Sequence, residues 1–150
     1  MSGWRVGFVV MPPELVDTFT AIQSALLCCP TVVSQHAAIY ALDHQELMAA
    51  QAQKIRQSRD IAYATLAPLV EHGIIEAAHN HAGFYLFVKT REQDCNDLVM
   101  DMLKQAKVAV GPGKDFGPEH TAYFRLCYAR EPEITQEGCN RLVQYFQENY

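Results

Sequence analysis

The chain has 150 residues, of which 49% are apolar and 19% charged, with a formal net charge of −5. That length supports one real hydrophobic core, and the composition is ordinary for a folded domain and unlike a disordered chain. The acidic balance, with no window that gathers Lys and Arg on one face, excludes a phosphate-backbone binder, so no nucleic-acid partner is expected. Apolar runs such as "VGFVVMPP" are far too short to cross a bilayer, and Met1 is not followed by a basic segment and a secretory apolar core; the reading is a cytoplasmic protein without a membrane partner.

In chain order, "GWRVGFVVMPP" at 3–13 places Trp4, Val6, Phe8 and Val10 in alternation and stops at two prolines, which predicts a first strand. Leu15, Phe19, Ile22 and Leu26 recur at helical spacing after Pro13, predicting an amphipathic helix to about Leu27, where "CCPT" breaks it. A second helix is expected from about Val32 to Leu42. A long third one runs from about His44 to His72, ending at Gly73, with Ile55, Ala62, Leu66 and Leu69 on one stripe and Pro68 expected to kink or shorten its last turn. After Gly73 the pieces shorten: "IIEAA", a strand "GFYLFVKT", a helix from Asp94 to Ala106 with Leu98, Met102 and Leu103 inward, then "VAV" and a glycine loop. A strand at 123–128 and a closing helix with Cys139, Leu142, Val143 and Phe146 inward complete the chain. The second half therefore reads as helices on a small, mainly antiparallel sheet. The first 43 residues read as the edge of something larger, because a lone strand with two helices cannot bury both its faces.

Few residues carry obvious chemistry. The five cysteines include the adjacent Cys28 and Cys29 and an odd one left over, so free thiols are expected, and "HNH" at 79–81 lacks metal-ligand spacing, so no metal is expected. The stretch "GPGKDFGPEHTAYFRLCYA" at 111–129 is more informative, because it sets Arg125 in the middle of an aromatic, apolar strand. A fixed charge there needs a hydrogen-bonded anion to offset lost hydration. Either an internal carboxylate such as Asp115 or Glu119, or a ligand, would serve. "GPGKDFG" lacks the spacing of a phosphate-binding P-loop and reads as a tight turn. Arg5 beside Trp4 reads either as a surface cation or as part of a site.

Five collinear segments, "GWRVGFVV" at 3–10, "VVSQHAAIYAL" at 32–42, "GFYLFV" at 83–88, "VAVGPGKDFG" at 108–117 and "YFRLCYA" at 123–129, resemble the C-terminal half of class I/II aminotransferases. These are pyridoxal-phosphate enzymes of the aspartate aminotransferase fold. The resemblance implies an α/β protein whose C-terminal small domain is α+β. It divides the chain into the trailing edge of a large cofactor-binding domain (1–43), a connecting helix (44–73) and the small domain (74–150). It implies that Arg125 grips the α-carboxylate of the substrate, that Arg5 helps to hold the cofactor phosphate, and that Gly111, Gly113 and Gly117 form the turn before the carboxylate strand. It further implies pyridoxal 5'-phosphate as cofactor, an amino acid and a 2-oxo acid as substrates, and a homodimer. Two departures stand out. The lysine that the family joins to the cofactor falls before Met1, and none of Lys54, Lys89, Lys104, Lys107 or Lys114 takes its place, so the chain alone is expected to lack a catalytic residue and to be inactive. Asn80 and His81 stand where family members often carry proline and small residues. A non-catalytic interaction or regulatory module that keeps the fold, and a split enzyme completed by a second polypeptide, are the alternatives.

Overall fold

A computed structural model describes residues 2–150, which divide into two compact units, Met1–Ala50 and Gln51–Tyr150. In the first, a 3₁₀ turn at Ser2–Trp4 leads into an irregular stretch, and a second 3₁₀ turn at Pro13–Leu15 opens helix α1 (Val16–Leu26). Proline suits that position because its missing N–H would have no helical acceptor anyway. Helix α2 spans Val32–Asp43; its cap Thr31 accepts from the Ser34 amide at 3.3 Å, and the Ser34 hydroxyl donates to the Trp4 carbonyl at 2.8 Å.

The strand expected at 3–10 is not formed. Residues 6–12 pair with no other segment, and Arg5 takes a left-handed φ of 52°. A strand is held by ladder hydrogen bonds, and the described residues of this unit supply no neighbouring strand to share them. The same lack of a partner layer leaves the predicted stripe of the first helix in water, with Phe19 46% and Leu26 73% exposed. Among the described residues of this unit only Ser34 is buried.

The second unit has a true core. Helix α3 (Gln45–Glu71), whose first residues belong to the first unit, is followed by β1 (Ile75–Ala77), β2 (Tyr85–Thr90), α4 (Asn96–Gln105), β3 (Gly111–Pro112), β4 (Tyr123–Cys127) and α5 (Pro132–Asn149). All strand pairs are antiparallel, in the order β1-β2-β4-β3. Alternation along β4 sends Phe124 and Leu126 to the core with Leu86 and Val88 of β2, where the helix stripes meet them: Ala62, Leu66 and Leu69 of α3, and Cys139, Leu142 and Phe146 of α5. Two expectations shift by a fraction of a turn. On α4 it is Val99, not Leu103, that joins Leu98 and Met102 inside, Leu103 being 43% exposed, and on α5 Tyr145 is buried while Val143 is only partly so. Helix α3 runs three residues past Pro68. The carbonyl deprived of its donor is that of Ala64, an exposed residue whose backbone water can serve. No helix among the described residues is long and apolar enough to cross a membrane.

Candidate carboxylate-binding site on the open face of the sheet

Arg125 occupies the centre of β4, between Phe87 on β2 and Gly111 on β3. Because Phe124 and Leu126 face the core, Arg125 and Tyr123 point to the opposite side of the sheet, and helices cover only the core side. The guanidinium is held by rings and not by a carboxylate. Its Cζ lies 4.1 Å from the centroid of Tyr85 and 4.3 Å from that of Phe116, close enough for strong cation–π attraction. Among the described residues no ion pair involves Arg125, and Glu119, one of the two internal partners considered from the sequence, pairs with His120 at 3.2 Å. A guanidinium that is half-buried, packed against two rings and without a protein anion among the described residues keeps N–H groups for an external one.

The surroundings are built to fix that guanidinium. Phe87 stacks on Tyr123 at 4.9 Å and meets Phe116 and His120 edge-on at 6.0 and 5.1 Å, so the open face carries a continuous aromatic floor. Phe116 reaches the site because the loop after β3 folds tightly back. A Cβ on Gly113 would collide with the carbonyl oxygen of His120 and come within 2.6 Å of that of Tyr123, so only glycine fits there. Tyr85 is placed from the other side by Asn80, whose side-chain amide donates to the Tyr85 carbonyl at 2.6 Å. Asn80 in turn is tied down by its own backbone N–H donating to the Tyr63 hydroxyl at 2.8 Å. Tyr85 and Phe116 are the site residues that the sequence alone did not single out. Nothing in strand alternation says which ring lands on a given arginine; the cross-strand register does.

Arg5 lies in the other unit, where it lines a groove of about 830 Å³ with Phe8, Val10, Phe19, Thr20 and Ser24. It is the sole Lys or Arg in residues 1–50, and that segment contains no lysine. One guanidinium with two nearby hydroxyls suits a phosphate group, and the apolar remainder suits a flat ring, so the donor set fits the phosphate end of pyridoxal phosphate and offers no amine for covalent attachment. Among the described residues there is no group of three His, Cys, Asp or Glu able to hold a metal ion.

Comparison with known proteins gives the geometry its context. The profile for aminotransferase class I and II matches residues 1–145. A probable aspartate/prephenate aminotransferase of Rickettsia felis is 34% identical over 155 aligned residues, which take in 95% of this chain. The chain belongs to the class I and II aminotransferase family. It is also similar to aromatic-amino-acid aminotransferase 2 of Thermococcus litoralis, at 29% identity over 99% of the chain. Among solved structures, a putative aminotransferase from Silicibacter pomeroyi superposes with a TM-score of 0.80 at 32% identity, and an aromatic aminotransferase from Pyrococcus horikoshii with 0.79 at 27%; each match covers 99% of this chain and 40% of the other. The chain spans 37–38% of the length of these curated relatives. The family is pyridoxal-phosphate-dependent, and the α/β architecture with a small antiparallel sheet is the one its members share with this chain.

Proposed function

We propose that this chain is the C-terminal portion of a pyridoxal-phosphate-dependent aminotransferase that moves an amino group between an amino acid and a 2-oxo acid. The observation that carries the reading is Arg125, a guanidinium packed between strands on the face of the small-domain sheet away from the core, with no ion-pair partner among the described residues. A planar fork pairs bidentately with a planar carboxylate, which both holds the substrate and sets its orientation. In the same reading Arg5 holds the cofactor phosphate, with Thr20 and Ser24 lining the same groove. The cofactor, when bound, supplies the electron sink for exchange at the α carbon. The attaching amine comes from polypeptide in the part of its relatives' length that this chain does not span, so the 150-residue chain alone is inactive. The division into a large-domain edge (1–43), connecting helix (44–73) and small domain (74–150), assembly as a homodimer and a cytoplasmic location belong to the same proposal.

The test joins this chain to the N-terminal segment of a class I and II relative and measures transamination with added pyridoxal phosphate. The isolated chain should show none, and the hybrid should turn over. In the hybrid, Arg125→Lys and Arg125→Leu should each cost about 2 to 4 kcal/mol in kcat/KM, because lysine keeps the charge but loses the fork. A near-normal kcat/KM in Arg125→Lys with a markedly lowered Tm would refute the carboxylate role and assign the arginine to stability instead.

A further inference from the structure

We infer that Tyr85 and Phe116 turn Arg125 into a slot that selects planar oxyanions over tetrahedral ones, an inference that rests on the carboxylate role proposed above. The two rings arrive from different sides of β4. Tyr85 sits on β2, diagonally across from Arg125, and Phe116 follows β3, whose Gly111 pairs with Arg125 from the other edge. With centroids 4.1 and 4.3 Å from Cζ, each ring is at van der Waals range of the guanidinium, one reaching it from the β2 side of its strand and the other from the β3 side.

The consequence concerns approach direction. A guanidinium in water accepts anions at its edges with little restriction above and below its plane. Here two rings pack against it and narrow the directions from which an anion can come. A carboxylate has its two oxygens and its carbon in one plane and can enter that plane to form two parallel hydrogen bonds. A sulfonate or phosphonate presents at least one further oxygen out of the plane, which meets a ring and loses hydration without gaining a donor. Discrimination between anions of equal charge therefore falls to the faces of two rings. Both are placed by neighbours: Asn80 holds the backbone at Tyr85, and Phe87 braces Phe116 edge-on at 6.0 Å. Gly111 lies close beneath both, since a Cβ there would be in ordinary contact with Phe116 and Arg125 at 3.7 and 3.8 Å.

The experiment follows the Nε–Hε cross-peak of Arg125 in the ¹⁵N-labelled chain, assigned by its loss in Arg125→Lys, during titration with propionate and with ethanesulfonate. In the wild type propionate should move the peak, with ethanesulfonate about tenfold weaker. In Phe116→Leu and in Tyr85→Leu that ratio should fall by about threefold or more, the scale of one lost cation–π contact, and Phe116→Tyr should restore it. Both rings are partly exposed, 44% for Phe116 and 40% for Tyr85, so the variants should keep the wild-type circular dichroism. A wild-type peak indifferent to propionate would overturn the carboxylate role itself. A peak that responds, with a selectivity ratio unchanged in both leucine variants, would overturn the slot and leave that role standing.

Discussion

Gly113 shows how one missing side chain can hold a site. The residue is buried, and its backbone lies against the carbonyls of His120 and Tyr123. Alanine at this position forces backbone against backbone, so Gly113→Ala should lower stability by about 1 to 3 kcal/mol in urea denaturation, the range for overpacking a closed interior. The same change should pull Phe116 off Arg125, since Phe116 lies three residues along the same 3₁₀ turn. The thiols offer a second residue-scale test. Cys28, Cys29 and Cys127 are exposed, whereas Cys95 and Cys139 are buried. Burial raises the Cys95 thiol and pushes that of Cys139 up to about 11 from 9.0, so both stay protonated and unreactive at neutral pH. Ellman's reagent should therefore titrate three thiols in the native chain and five after unfolding; fast reaction of a fourth in the native chain would contradict the packing described. Because the folded value for Cys139 is raised, its contribution to stability is complete below pH 9 and is lost as the pH climbs through 11.

At the scale of elements, helices were more legible in the sequence than strands, and the reason is physical. A helix satisfies its own hydrogen bonds, so spacing alone marks α3: of its predicted stripe, Ala62, Leu66 and Leu69 are in the core and Ile55 packs partly buried against it. Residues 3–10 carry an equally clear alternation, yet a strand exists only with a neighbour, and the described residues of their unit supply none. The candidate site divides in the same way. Arg125 could be picked out because a cation in an apolar strand demands an anion, and its family resemblance named one. Tyr85, Phe116 and the Asn80 clamp depend on the β2–β4 register and on the return of the glycine loop, which are long-range facts that no local pattern carries.

At the scale of the whole molecule the two units differ in kind. One closes around Phe124, Phe146 and Leu66, while the other leaves Phe8 79%, Val10 89% and Leu27 72% exposed. In the proposed reading the rest of the aminotransferase covers that surface. Hydrogen exchange on a dilute monomeric sample should show fast exchange across residues 6–27 and slow exchange in α3, β2, β4 and α5, with residues 6–12 slowing once the N-terminal segment of a relative is joined. Uniformly slow exchange across 6–12 in the monomer would count against this. The strand order β1-β2-β4-β3 has a consequence for how the chain is made. Residues 85–89 meet residues 123–127 only after α4 and the glycine loop have been synthesised and closed between them, so the slot is a product of non-local ordering and carries its full loop-closure entropy. A nascent chain that has not yet released Cys127 from the ribosome has no partner strand for residues 85–87, so the Tyr85 ring and the guanidinium take their places in one closing step.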